Sequence, residues 1–319
     1  MSGAGPLAPA DEQVHPVDPA AWSWNESWFF SFVDLDGGPA GFFRVGALAN
    51  QERAMLWSFV HVEGQWLGVE ESRLAFGDLD LAEGITYDRW ALGFAWRPDP
   101  PLAGARFTFA GDALVRSGPD AGAYRTVSID LTCRATAEAV RTGSGADEDR
   151  TTYETGRFEQ PVEATGTVTV DGWRHAVRAG AHRDRSWGPR EWRQQFTLGD
   201  LQTRDRQLYF VGRTFPGLGM GFLRTGHEVR HLVVVDGHID FDDDRRTIRS
   251  AWLRLEGEGS TPVEATLRPI SPSVAFDMAH TCEPPERWLY YRTLVEADVT
   301  GWDQPCRGWF ESSRHGATP

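Results

Sequence analysis

The chain of 319 residues contains no lysine, because all 32 of its basic residues are arginines. Schiff-base chemistry and a phosphate-loop lysine are therefore excluded, since both need a primary amine. The 46 acidic residues outnumber the arginines, which gives a net charge of −14 and a pI near 5.1. Nucleic-acid binding and a polybasic membrane anchor need a dense cationic surface, so this composition argues against both.

Cysteine is scarce, and Cys133, Cys282 and Cys306 lie far apart in the sequence. Their odd number and wide spacing predict neither a disulfide framework nor a Cys-x-x-Cys metal site. The first residues lack the cationic start and apolar run of a signal peptide, and no stretch approaches about 20 consecutive apolar residues. We therefore expect a cytoplasmic protein without a membrane span.

Motifs for cofactors and metals are also missing. Neither a Gly-x-Gly-x-x-Gly nor a Gly-x-Ser-x-Gly sequence occurs, so nucleotide and serine-hydrolase chemistry have no support. His227 and His231 match the His-Glu-x-x-His zinc pattern, but the surrounding residues predict a strand, in which the two would lie about 13 Å apart. The run Asp240–Asp244 begins like a calcium loop and lacks its glycine and final glutamate. We expect no cofactor and no metal.

Aromatic residues are abundant, with 14 Trp and 18 Phe against 6 Tyr. Tryptophan combines a large apolar surface with one N–H donor, which suits the lining of a binding cavity. Aromatic residues are equally at home in β-strands. Composition alone leaves both interpretations open.

Short alternating runs broken by Gly, Pro and Asp indicate an all-β protein, since no segment shows a sustained 3.6-residue period. Asp171-Gly172 and Asp236-Gly237 follow such runs and predict hairpin turns. The predicted strands are Phe42–Leu48, Met55–Val62, Ile85–Trp96, Arg106–Val115, Val127–Cys133, Thr165–Val170, Leu208–Arg213, Leu232–Val235, Ile248–Leu255 and Leu289–Val299.

The sequence divides at Arg141–Thr152, which has no large apolar residue and carries a run of charges. We predict a disordered or draped arm over residues 1–20, an N-terminal domain over 21–145 and a C-terminal domain over 152–315. Asn25-Glu-Ser-Trp28 in the first half echoes Asp184-Arg-Ser-Trp187 in the second. A duplicated β unit and a chance likeness both explain this echo.

The densest group of reactive side chains is Gly180–Trp192, with the sequence GAHRDRSWGPREW. A carboxyl group held among tryptophans retains its proton because it is desolvated, which makes Asp184 a candidate general acid. A neighbouring Arg185 or Arg190 would instead favour the ionised form. The alternative is therefore an arginine–carboxylate network that only holds β units together.

This stretch, with Arg157-Phe-Glu-Gln and Gly166–Gly172 before it, resembles the superfamily of double-lipocalin proteins that contains the bacterial carotenoid 1,2-hydratases and the AttH-like proteins. The resemblance is closest over residues 150–315, to an uncharacterised branch with an Asp-x-Ser-Trp-Gly-Pro-Arg-Glu-Trp motif. It implies two tandem lipocalin-like antiparallel β-barrel or sandwich domains with a hydrophobic ligand site near their junction. Arg185 and Val211 stand where carotenoid hydratases have His and Asp, so carotenoid hydration itself is not expected.

The resemblance implies a cofactor-independent hydratase, dehydratase, isomerase or cyclase that acts on a terpenoid, steroid or polyketide. The alternative is a non-catalytic carrier or sensor of a hydrophobic small molecule, and the oligomeric state is open. In the enzyme, Asp184 exchanges the proton, His182 relays it, and tryptophan faces stabilise a developing cation. The expected catalytic residues are Asp184, His182, Tyr209 and Glu26, and the expected substrate-binding residues are Trp28, Trp187, Arg190, Glu191 and Trp192.

Overall fold

A computed structural model describes residues 7–142, 156–190, 192, 196–212, 219–243, 247–277 and 288–315. These residues form β-strands and three short 3₁₀ helices, Pro9–Glu12, Ala49–Gln51 and Phe76–Asp78, which confirms the predicted all-β class. No helix in this part of the chain has the length and apolar character needed to cross a membrane.

The chain divides into two compact units, residues 1–191 and 192–319. Each is a lipocalin-like β domain, as the sequence predicts. The strands of the first unit are β1 Trp24–Asp34, β2 Ala40–Leu48, β3 Arg53–Val62, β4 Gln65–Ala75, β5 Ile85–Arg89, β6 Leu92–Pro98, β7 Gly104–Val115, β8 Tyr124–Ala135, β9 Val140–Arg141, β10 Gly156–Val170 and β11 Trp173–Pro189. Those of the second are β12 Phe196–Gln202, β13 Arg206–Gly212, β14 Gly219–Thr225, β15 Glu228–Phe241, β16 Ile248–Glu256, β17 Val263–Pro269, β18 Val274–Asp277, β19 Trp288–Val299 and β20 Cys306–His315.

The first unit is a closed antiparallel barrel. Eight of its eleven described strands form the ring, in the order β4-β3-β2-β1-β11-β10-β8-β7. Leu67 and Gly68 of β4 pair with Val115 and Leu114 of β7 and so close the ring. β6 and β5 extend from β7, and β9 pairs with β10.

The second unit repeats this plan. Its eight described barrel strands follow the order β17-β16-β15-β14-β13-β12-β20-β19, and pairing of β17 with β19 closes the ring. β18 pairs with the other part of β19. A core of aliphatic and aromatic side chains, among them Leu201, Phe210 and Leu253, fills its interior.

The boundary between the units lies at residues 191–192, whereas the sequence places it between 145 and 152. The difference arises because β10 and β11 follow the predicted linker and yet pair with β8 and β1 of the first barrel. Thr142 is the last described residue before the gap that ends at Gly156.

Aromatic side chains fill the first barrel. Trp28, Phe30 and Phe32 of β1 belong to the barrel core, where the ring of Phe107 contacts those of Phe30 and Phe43. All five are at most 2% exposed. Burying each side chain contributes roughly 1.5–3 kcal/mol, so this core is a main source of the barrel's stability.

The N-terminal segment is fixed to the first barrel. Glu12 is buried and forms an ion pair with Arg183 of β11, whose guanidinium also lies over the rings of Trp96 and Phe158. Asp11, its neighbour, pairs with Arg141 at 3.0 Å in a more exposed position. Within residues 7–20, the predicted arm is therefore an ordered, draped segment.

We predict that Glu12→Gln lowers the free energy of unfolding by about 3 kcal/mol, because it leaves the buried Arg183 charge without a counter-charge. The control is Asp11→Asn, which removes a partly exposed ion pair and should cost about 1 kcal/mol or less. Urea unfolding followed by tryptophan fluorescence measures both. Equal losses in the two variants would contradict a special role for the buried pair.

Candidate active site

Strand β11 carries two sets of reactive side chains on opposite faces. Side chains of alternate residues in a strand point to opposite sides of the sheet. Ala179 and Ala181 belong to the barrel core, so Arg183, Arg185 and Trp187 point inward, while His182 and Asp184 point outward. The sequence motif therefore forms two separate clusters rather than one.

The inner cluster joins β11 to β1 and to the N-terminal segment. The carboxylate of Glu26 accepts hydrogen bonds from Arg185 at 2.6 Å and from the backbone N–H of His15 at 3.3 Å. The Arg185 guanidinium lies 4.0 Å from the ring centre of Trp28, and the His15 ring stacks on Trp187 at 3.7 Å. Each charge of this cluster has an opposite charge or an aromatic face beside it.

The outer cluster consists of Arg157, Glu159, His182 and Asp184, and we call it the acid patch. Arg157 bridges two carboxylates: its Nε donates to Glu159 at 2.6 Å and its terminal nitrogen to Asp184 at 3.0 Å. His182 Nε2 lies 2.7 Å from the other oxygen of Glu159. The pairing of β10 with β11 sets Glu159 directly beside Asp184, so one arginine serves both acids.

The two carboxyl groups of the acid patch differ in proton affinity. Burial raises the pKa of Asp184 to about 6, against the opposing effect of Arg157, and the negative charge of Glu159 adds to the rise. Burial also acts to raise the pKa of Glu159, but Arg157 and the hydrogen bond with His182 outweigh it and lower that pKa. Glu159 therefore loses its proton at a lower pH than Asp184, which keeps its proton up to about pH 6.

Next to Asp184, the neighbouring strands β1, β2 and β3 place aromatic and cationic side chains on the same face. Phe29 of β1 pairs with Asp184 on one side and with Arg44 of β2 on the other. The Arg44 guanidinium lies 4.9 Å from the ring centre of Trp57 on β3. Phe29 is partly exposed and the Asp184 side chain is 10% exposed, so this row reaches the surface there. The arrangement sets an acid with a raised pKa beside an apolar ring.

The structure brings together two of the predicted site residues, Asp184 and His182. Glu26, Trp28 and Trp187 lie on the inner face of the barrel wall, so the tryptophans predicted to surround Asp184 are on its opposite side. Arg190 is buried, and its backbone N–H donates to the carbonyl of Ser23 at 3.0 Å. Glu191 lies outside the described residues.

Two predicted residues belong to the second unit. Trp192 is its first residue and is buried. Tyr209 is buried on β13, where its ring stacks on Phe222 at 5.1 Å. Across the strand pair it faces Asp200, whose carboxylate accepts hydrogen bonds from Gln202 at 2.8 Å and Gln207 at 2.6 Å.

Sequence reasoning missed Arg157 and Glu159 as site residues. Their spacing of two was a usable signal, since Arg157-x-Glu159 and His182-x-Asp184 each put two polar side chains on one face of a predicted strand. The hairpin at Asp171-Gly172 then fixes which residues meet. Counting outward from that turn pairs Glu159 with Asp184.

Two closed barrels in one chain give the protein a tandem lipocalin-like fold, as the sequence resemblance implies. The chain belongs to the family described as a domain of unknown function, DUF7064, whose model matches residues 8–315. That match spans both units.

Solved structures share this fold at low sequence identity. The AttH-like protein NE1406 of Nitrosomonas europaea aligns over 99% of both chains, with 13% identity and a TM-score of 0.63. Kievitone hydratase of Nectria haematococca aligns over 94% of this chain and 93% of its own, with 13% identity and a TM-score of 0.55. CghA, solved with Sch210972, aligns over 91% and 88%, with 12% identity and a TM-score of 0.55. No curated protein matches the sequence.

The pKa of Asp184 predicts how stability depends on pH. The ordinary value is 3.8 and the folded value about 6, so the folded state binds this proton more tightly. That stabilisation is complete below about pH 4 and is lost as the pH rises through about 6. We expect the unfolding free energy of Asp184→Asn, minus that of the unsubstituted protein, to increase by about 2 kcal/mol between pH 4.5 and pH 8.

Urea unfolding at steps of half a pH unit measures this difference. The control is Asp130→Asn, since Asp130 forms an exposed ion pair with Arg106 on the same barrel. The unfolding free energy of Asp130→Asn, minus that of the unsubstituted protein, should stay constant over the same pH range. A constant difference for Asp184→Asn as well would show that Asp184 is ionised throughout.

Proposed function

We propose that this protein is a hydratase- or cyclase-type enzyme that acts on a hydrophobic small molecule by acid–base chemistry without a cofactor. Asp184 is the general acid. The observation that carries the proposal is the buried Asp184 carboxyl, whose pKa is raised to about 6. Arg157 donates a shorter hydrogen bond to Glu159, at 2.6 Å, than to Asp184, at 3.0 Å. A carboxyl group tuned toward neutral pH can donate a proton and accept one again.

In the proposed reaction, the Asp184 O–H bond breaks as its proton forms a bond to an alkene or carbonyl group of the substrate. Arg157 stabilises the carboxylate that results, since it already donates a hydrogen bond to that group. The cation formed on the substrate is captured by water in a hydration, or by a nearby double bond in a cyclisation. A proton released in that second step returns to Asp184.

The neighbouring groups fit such a step. The ring of Phe29 lies in the row beside Asp184 and offers a π face to a developing positive charge. His182 is held by Glu159, two residues from Asp184 and about 7 Å along the same strand face. We propose that this pair relays protons to the acid and keeps Arg157 in place.

Proteins with this fold support the class of reaction. Kievitone hydratase is by name a hydratase, and CghA was solved with the small molecule Sch210972. Terpenoids, steroids and polyketides are the substrate classes that we propose to test, in the cytoplasm as the expected compartment.

The carrier alternative is less well supported. A lipocalin-type carrier holds its ligand inside the barrel. Here five aromatic side chains and the Glu12–Arg183 pair occupy the interior of the first barrel. A carrier also has no need of a carboxyl group poised near neutral pH.

We predict that Asp184→Asn lowers turnover by about 100-fold or more, the usual loss when a general acid is removed. Purified protein is incubated in ¹⁸O-labelled water with isoprenoid, steroid and polyketide extracts, and products are identified by mass spectrometry. A labelled product made only by the unsubstituted protein identifies a hydratase, and an unlabelled isomer identifies a cyclase or isomerase. Asp130→Asn serves as the control and should retain full turnover.

Recovery of one compound, enriched but unchanged, by both proteins would support the carrier and contradict the proposed function. A product formed equally fast by Asp184→Asn would leave an enzyme but remove Asp184 from its mechanism.

The reaction should also depend on pH in a defined direction. Asp184 donates a proton only when it is protonated, so kcat/KM should be constant below about pH 6 and fall about tenfold per pH unit above it. A pH–rate profile measures this. A rise in kcat/KM through pH 6 would show that the ionised form is the active one and that Asp184 acts as a base.

A further inference from the structure

The outer face that carries the acid patch also holds a group of buried polar side chains. Asn25, Ser27 and Ser31 on β1 and Ser186 on β11 are all at most 1% exposed. Among the residues that the structure describes, the three serine hydroxyls and both polar atoms of the Asn25 amide have no hydrogen-bond partner. We call these four residues the polar row.

The strand register sets the polar row beside the acid patch. Ser27 pairs directly with Ser186, and Ser186 pairs on its other side with Arg157. Ser27 lies two residues before Phe29 on β1, and Ser186 lies two residues after Asp184 on β11. Both serines therefore share a face with the Phe29–Asp184 pair. At about 3.4 Å per residue, the two hydroxyls lie about 7 Å from the acid along the strands.

The local packing leaves room for the Asn25 amide. Gly46 faces Ser27 from β2, and a Cβ atom at Gly46 would come within 2.7 Å of Asn25 Oδ1. Even an alanine at this position would displace the amide. The glycine therefore allows the polar group to occupy this face.

Unpaired buried hydroxyls and amides destabilise a folded protein, because they lose hydrogen bonds with water and gain none. An apolar residue at any of these positions would avoid that cost. Four such groups on one face, next to the acid patch and a partly exposed phenylalanine, are therefore explained best by a ligand that supplies the missing hydrogen bonds.

We propose that Ser27 and Ser186, assisted by Asn25, form a subsite for a neutral oxygen atom of the ligand, a hydroxyl or a carbonyl. Hydroxyl and amide groups both donate and accept, which matches a neutral oxygen rather than a carboxylate or phosphate. Insofar as the proposed function holds, the substrate is an oxygenated apolar molecule, and its oxygen lies about 7 Å from the atom that Asp184 protonates.

The test compares 2-naphthol with naphthalene, two probes that differ by one hydroxyl group, by equilibrium dialysis. We expect the protein to bind 2-naphthol at least about tenfold more tightly than naphthalene. In Ser27→Ala/Ser186→Ala this preference should fall to about one, with naphthalene affinity unchanged. Because the hydroxyls are unpaired in the free protein, the double variant should unfold at the same temperature or higher.

Ser58→Ala is the matched control, since Ser58 is a buried serine of β3 that pairs with the core residue Phe43 on the inner face. It should keep the preference for 2-naphthol. A protein without this preference, or a double variant that keeps it, would falsify the proposal. So would a double variant that unfolds at a lower temperature than Ser58→Ala, because that result would assign the hydroxyls a structural role.

This binding test is independent of turnover. Asp184→Asn should still prefer 2-naphthol if the subsite exists, even if the acid has no catalytic role. Loss of the preference for 2-naphthol only in the serine double variant would thus support the subsite. Loss of turnover in Asp184→Asn would separately support the proposed function.

Discussion

The pairing of β1 with β11 is the constraint on which both clusters of the first barrel depend. Glu26 and Arg185, which form an ion pair across it, are 159 residues apart in the sequence. The same pairing completes the ring of eight strands and decides which side chains face inward. A slip of one residue would exchange the two faces of β11 and bury the acid patch in the aromatic core. The inner ion pairs of Arg183 and Arg185 oppose such a slip, because each binds a carboxylate on a different segment.

The two faces of the first barrel differ in how many carboxylates each arginine binds. On the inner face, Arg183 binds Glu12 and Arg185 binds Glu26, so each carboxylate has an arginine of its own. On the outer face, Arg157 serves both Glu159 and Asp184. Burial is the main cause of the raised pKa of Asp184, and the negative charge of Glu159 adds to the rise against the opposing effect of Arg157. The inner cluster therefore pairs each carboxylate with an arginine, while the outer cluster contains a carboxyl group that keeps its proton up to about pH 6.

The predictable parts of the fold are those with a local cause. The all-β class follows from alternation, and the Asp171-Gly172 turn follows from two residues that tolerate positive φ. The sequence predicts one strand over Ile85–Trp96, but the structure has two strands there. They are joined by a turn without a glycine, in which Trp90 adopts a φ of 58°. Asp236-Gly237 predicts a hairpin, but β15 continues through it with a bulge, since its neighbour β16 pairs on both sides of it. The position of Asp184 in its motif was readable, whereas its partners Arg157 and Glu159 depend on register between strands.

The echo between Asn25-Glu-Ser-Trp28 and Asp184-Arg-Ser-Trp187 has a different meaning from the duplication that the sequence suggests. The two segments are antiparallel neighbours in one barrel, related by a local two-fold axis through Ser27 and Ser186. Under this symmetry the shared serines meet on the outer face, and the differing residues Glu26 and Arg185 become complementary on the inner face. The symmetry is broken where Asn25 stands in one segment and Asp184 in the other. Only the second of these side chains can carry a transferable proton, so the pair has one acidic end and one neutral polar end. In the reaction that we propose, that polarity would give an oxygenated substrate a single productive orientation on this face.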